Sequence, residues 1–122
     1  MYVGIARLTL SIPASGSLKD KRQVVRKLLD RTRAKFNVAA AEVDANDLWQ
    51  KAVLGFSVVA NERHFAEDSL NTILGFIDEL YLAPVVDRLV EIVPVGEHAH
   101  GTRTLAEAEA ASEADWDEDR DG

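Results

Sequence analysis

Residues 2 to 12 divide into two faces by simple alternation: Tyr2, Gly4, Ala6, Leu8, Leu10 and Ile12 fall on one side, and Val3, Ile5, Arg7, Thr9 and Ser11 on the other. A period of two predicts a strand. Pro13-Ala14-Ser15-Gly16 breaks it, and Ser17 followed by Asp20 resembles a capping box with Asp in place of the preferred Glu. From Leu18 the period becomes helical. Leu18, Val25, Leu29, Thr32 and Phe36 recur on one arc, Val24 and Leu28 widen it, and Asn37 ends the helix.

Val38 to Val43 reads as a second strand, weakened by three alanines of low β-propensity. Asp44-Ala45-Asn46-Asp47 is a turn, because short Asx side chains bond their own backbone and tolerate unusual dihedrals. The apolar run from Ala52 to Ala60 predicts a central third strand. A second helix is expected from Arg63 to Leu82, with Ala66, Leu70, Ile73, Ile77 and Leu80 on its inner face and Pro84 as the stop. Val85 to Val95 supplies the last strand, apolar on both faces. The order βαββαβ predicts an α+β fold of ferredoxin-like build: a four-stranded antiparallel sheet with two helices on one face. That domain takes residues 1–97. Residues 98–122, rich in Ala, Glu and Asp, bury too little to offset their ordering entropy and are expected to form an acidic disordered tail.

Composition narrows the function classes. The 122-residue chain has no cysteine, which excludes disulfides, thiolate metal sites and thiol nucleophiles and fits a reducing, cytoplasmic setting. Nothing resembles a signal segment, and no apolar stretch approaches the ~18 residues of a membrane span. The net charge of −7 hides an asymmetry. Between Ser17 and Lys35, eight bases stand against Asp20 and Asp30; between Thr102 and Gly122, eight acids stand against Arg103 and Arg120. The overall charge therefore says little about partners, and the basic first helix says more.

Three segments carry a family resemblance: Ser17-Leu18-Lys19-Asp20-Lys21-Arg22, then Phe36-Asn37-Val38 through Ala41-Glu42-Val43-Asp44, then Asp47-Leu48-Trp49-Gln50-Lys51-Ala52 leading into Leu54-Gly55. In that order they resemble the YlxP-like family, a bacterial family of unknown function, over about residues 1 to 95. The resemblance implies a ferredoxin-like fold and, through the family's gene neighbourhood, an association with translation initiation factors and a ribosome-binding factor. It implies no catalytic residues.

The strongest candidate site is the first helix. At about 100° per residue, Lys19, Arg22, Arg26 and Arg33 lie within an arc of roughly 60°, and Lys27, Arg31 and Lys35 form a second row. A solvated helix face is the ordinary reading of such charges. Against it, Lys19, Lys21 and Arg22 crowd the first turn, where the macrodipole disfavours cations, and acidic partners at helical spacing are scarce. Lys21 falls beside the apolar arc, where it must snorkel or meet an anion. RNA or anion contact is thus expected through Lys19, Lys21, Arg22, Arg26 and Arg33, with secondary contacts from Lys27, Arg31, Lys35 and Trp49; docking of the acidic tail is the competing use of the same helix. Residues 13–17 read as a turn and cap rather than a phosphate cradle. Trp49 has two readings, a core anchor beside a strand or a base-stacking platform.

Other constellations are weaker. Glu42, Asp44 and Asp47 lack the length and closing Glu of a calcium loop and read as turn and capping residues. His98 and His100 have no third ligand of known position, and His64 reads as a surface or capping residue. No cofactor or metal site is expected. Three functions compete: a non-enzymatic module contacting structured RNA or the ribosome, without DNA specificity; a homo-oligomeric scaffold, a dimer first of all, in which a second copy covers the sheet face that the helices leave open; and a small acylphosphatase-like hydrolase, disfavoured because Arg22 lies inside the helix rather than in a glycine-rich loop.

Overall fold

The computed structural model describes residues 1–96, 104–106 and 109–110. Its elements are β1 (Tyr2–Ser11), α1 (Leu18–Lys35), β2 (Ala39–Asp44), β3 (Lys51–Ala60), α2 (Arg63–Leu80) and β4 (Val85–Pro94). All pairings are antiparallel and the strand order is β2-β3-β1-β4, so β1 and β3 are central and β2 and β4 are edges. This is the expected βαββαβ ferredoxin-like arrangement.

Register turns the alternation into two faces. Ala6 pairs with Phe56 and Val90, and Leu8 with Leu54 and Arg88, so residues that are even-numbered in β1 share the helix side. There Ala6, Leu8, Leu10, Leu54, Phe56 and Val58 are buried under Val25, Leu28 and Leu29 of α1 and Leu70, Ile73 and Ile77 of α2. Gly4 is where α2 comes closest: a Cβ there would stand 2.9 Å from Leu70 Cδ1 and 3.0 Å from Val58 Cγ2. Phe36 and Phe76 meet edge to face at 5.3 Å, joining the end of α1 to α2.

Helix ends follow local chemistry. Ser17, in extended backbone, accepts a hydrogen bond from Asp20 N at 3.1 Å, which is the expected cap; the reciprocal arm reaches one residue further, with Gly16 N donating to Asp20 Oδ2 at 3.1 Å. The second helix stops two residues before the expected Leu82, because Tyr81 takes the left-handed conformation (φ 50°) and ends it. Leu105, Ala106, Glu109 and Ala110 are helical and exposed. Apart from Thr104, which is exposed, the rest of the segment for which disorder is expected, with His98 and His100, lies outside the described residues.

Candidate nucleic-acid interface on the first helix

The five primary cations of α1 separate into three groups. Lys21 leaves the surface entirely: it is 0% exposed, and its removal from the RNA-contacting set corrects the expectation above. Its Nζ lies 2.8 Å from Ala45 O, 3.3 Å from Asn46 O, 3.2 Å from Lys51 O and 2.8 Å from Glu42 Oε2. An ammonium has three N–H donors, so four oxygens compete for them, and Glu42 is held by charge rather than by an aligned hydrogen bond of its own. A buried cation needs such compensation, since desolvation otherwise costs several kcal/mol. The anion that Lys21's place on the apolar arc demanded is Glu42. Glu42 pairs with Leu54 and so points to the helix side.

Arg33 is engaged. Its guanidinium contacts Asp30 at 3.4 Å and donates to the Ala40 carbonyl on edge strand β2. Lys19, Arg22 and Arg26 remain: all three are exposed, with no hydrogen-bond or ion-pair partner among the described residues. In the second row, Lys35 lies 4.8 Å from the Phe76 ring centroid and 5.8 Å from that of Phe36, while Lys27 and Arg31 are exposed and unpaired among the described residues.

The Lys21 anchor also fixes the β2–β3 connection against the start of α1. Leu48 N donates to Ala45 O at 3.0 Å, Gln50 Nε2 to Ser15 O at 3.5 Å, and Ile12 N to Gln50 O at 2.9 Å. Ala45, the residue bonded most closely by Lys21 through its carbonyl, has φ 57°. In this loop Trp49 is 49% exposed and Leu48 50%. The core reading of Trp49 is therefore overturned. The tryptophan precedes β3 rather than lying within it, and Lys21 draws the loop backbone inward while the two large side chains stay outside.

The remaining candidates are dispersed. Gly16 N and Asp20 N, the donors a phosphate would need at the helix start, are taken by Asp20 and Ser17. Glu42 faces the helices, whereas Asp44 pairs with Arg7 at 3.4 Å over the open face, so the three carboxylates do not converge; among the described residues no group of three metal-capable side chains does. His64 is exposed, 3.2 Å from Glu62 and against the Phe65 ring. A cleft of about 440 Å³ between the end of α1, β3 and α2 is lined by Asn37, Asp68, Ser69 and Thr72, with no histidine or lysine among its lining residues. Among the described residues no helix is long and apolar enough to cross a membrane.

Comparison with known proteins places the chain in a family and adds little about chemistry. The family model DUF503, described as a protein of unknown function, matches residues 3–89. The uncharacterized protein YlxP of Bacillus subtilis is 35% identical over 88 residues, 72% of this chain and 92% of that protein. Among solved structures, a de novo designed protein with a ferredoxin fold aligns with a TM-score of 0.49 and 15% identity, over 86% of this chain and 96% of its own. A NIPSNAP family protein from Agrobacterium tumefaciens aligns at 0.40 and 14%, over 83% and 99%.

Proposed function

We propose, for a chain that belongs to the DUF503 family of proteins of unknown function, a non-enzymatic cytoplasmic role in binding structured RNA or the ribosome through α1. One observation carries the reading: Lys19, Arg22 and Arg26 form an exposed cationic row with no partner among the described residues, on a helix whose buried lysine anchors it to the sheet. Surface charge alone is inexpensive to solvate. A row that is exposed and unneutralised among the described residues, running over successive turns from Lys19 near the helix start to Arg26 at its middle, is matched to an external polyanion.

Replacing Lys19, Arg22 and Arg26 together with glutamine is expected to abolish association with RNA or ribosomes while leaving the fold intact, since all three side chains are exposed. For the unmodified protein, each phosphate contact releases about one counterion, so three contacts to a duplex give a log–log salt slope near −2 to −3. Salt-independent binding, or a triple variant that binds as well as its parent, overturns the reading.

A second reading rests on the sheet face without helices. Val59 is 70% exposed there, with Ile5, Val43 and Leu89 also exposed, around a trough of about 410 Å³ lined by small residues Ala39, Ala41, Gly55 and Ser57. A ridge and a hollow on one surface suit a two-fold symmetric homodimer. Light scattering at micromolar concentration is expected to give twice the 13.4 kDa chain mass, and Val59→Lys with Leu89→Glu to halve it. A monomeric parent eliminates this reading and leaves the first untouched.

A further inference from the structure

We infer that the α1 surface continues onto the 45–50 loop as a composite site for an RNA duplex that ends in, or is interrupted by, an unpaired nucleotide: phosphates on Lys19, Arg22 and Arg26, the unpaired base on the indole of Trp49. This rests on the RNA-binding reading and specifies its ligand. Half of Trp49's surface is in solvent, as is half of Leu48 before it, so the loop presents its indole outward. Nor is the loop loose. Lys21 grips it through the carbonyls of Ala45, Asn46 and Lys51, Leu48 N closes a turn on Ala45 O, and Gln50 bonds Ser15 and Ile12 across the loop before α1. The same lysine thus fixes both the helix that carries the cations and the loop that carries the indole. Arg22 follows Lys21 directly in the chain, so the start of the cationic row and the exposed loop belong to one end of the molecule.

The chemistry of the two parts selects the ligand. A cationic row reads backbone phosphates without regard to sequence and serves duplex RNA, whose bases are inaccessible in its deep groove. An exposed aromatic ring serves an unstacked base, and any base has a face to stack. The sheet offers no alternative platform: Phe56, the aromatic of the central strand, is 2% exposed on the helix side, and the open faces of the four strands carry no aromatic residue. Cations without a platform would suit plain duplex, and a platform without cations would suit a protein side chain. Both together suit a junction between paired and unpaired nucleotides.

The test compares three labelled RNAs by fluorescence anisotropy: a blunt hairpin of about 16 base pairs, a length one small domain can span, the same hairpin with a short single-stranded 3′ extension, and the extension alone. The extended hairpin is expected to bind tightest, by about fivefold or more over the blunt one, in line with the worth of one stacked base. Trp49→Ala should erase that gain and leave blunt-hairpin affinity and thermal melting unchanged, whereas Trp49→Phe should retain most of it. In a Trp116→Phe background, quenching of Trp49 emission should appear with the extended hairpin and not with the blunt one. Equal affinity of the parent for blunt and extended hairpins overturns the inference, as does an equal loss on both in Trp49→Ala; in either case blunt-hairpin binding that disappears in the Lys19/Arg22/Arg26 glutamine variant leaves the RNA-binding reading standing. Failure of all three RNAs to bind, with retention of a protein on the Leu48–Trp49 surface, removes both.

Discussion

The two helices have the same length, 18 residues, and the same task of covering one face of the sheet, yet they solve it differently. Helix α2 buries Ala66, Leu70, Ile73, Leu74 and Ile77, an uninterrupted apolar stripe. Helix α1 buries Val25, Leu28 and Leu29 together with Lys21 and Thr32, and Thr32 Oγ1 donates to the Leu28 carbonyl at 2.8 Å. Outside, the contrast is sharper. The one arginine of α2, Arg63, lies 5.6 Å from the Tyr2 ring centroid, whereas Lys19, Arg22 and Arg26 of α1 contact no partner among the described residues. Packing explains the inner face of α2. It explains neither the outer charges of α1 nor the use of a buried ion pair to seat it, which are the features a binding surface held in a fixed place requires.

The sharpest way to break that contrast is at the two buried anchors. Lys21→Ala strands the Glu42 carboxylate and three loop carbonyls, and loss of one partner of a buried pair costs about 3–5 kcal/mol. Leu70→Ala in α2 opens a cavity against Gly4 and costs about 2–5 kcal/mol. Urea denaturation of both measures the pair. The costs overlap, but their consequences should not: Lys21→Ala is expected to free the 45–50 loop, seen as rapid amide exchange there, while Leu70→Ala leaves that loop protected. Equal loop protection in the two variants would show that Lys21 is no more than a filler of space. The three-glutamine variant of Lys19, Arg22 and Arg26 is the complementary case, expected to melt within about 0.5 kcal/mol of its parent because those side chains touch nothing structural.

Periodicity carried nearly all of the fold. Alternation from Tyr2 to Ile12, the apolar run Ala52–Ala60 and the helical spacing of Val25, Leu28, Leu29 and Thr32 mark the elements, and in β1 and the helices their inward faces, because burial on one side is the dominant energy of such a sheet. The candidate site was legible in part. Lys19, Arg22 and Arg26 follow from the helical wheel alone, whereas the fates of Arg33 and Lys21 depend on contacts with β2 and the β2–β3 connection. Trp49 was legible only as one of two readings, core anchor or base platform, for a related reason: its exposure is set by a lysine 28 positions earlier in the chain that pulls the loop backbone, not the indole, into the protein. Tyr81 shows the limit at a helix end, since the apolar Leu80 and Leu82 continue the pattern that a left-handed residue cuts short.

A smaller effect than that of either buried anchor compares two left-handed residues, one in the β2–β3 connection and one at the end of α2. Ala45 (φ 57°) and Tyr81 (φ 50°) both hold left-handed backbone without being glycine. For an L-residue that conformation costs about 1–2 kcal/mol, while glycine there loses roughly 0.5–1 kcal/mol of extra chain entropy on folding, so glycine at either position should stabilise by about 0.5–1 kcal/mol. Tyr81, 88% exposed, gives up little packing and should show the full gain in thermal melting. Ala45 is different, because Lys21 Nζ bonds its carbonyl and Asp44 Oδ1 accepts from its N–H at 2.7 Å. If that clamp dictates the loop's shape, Ala45→Gly should also stabilise, and its gain should persist at high salt, since a buried ammonium is little screened. Should Ala45→Gly instead destabilise while Tyr81→Gly stabilises, the alanine itself stiffens the platform under Trp49, and the anchoring of α1 depends on loop rigidity as well as on Lys21.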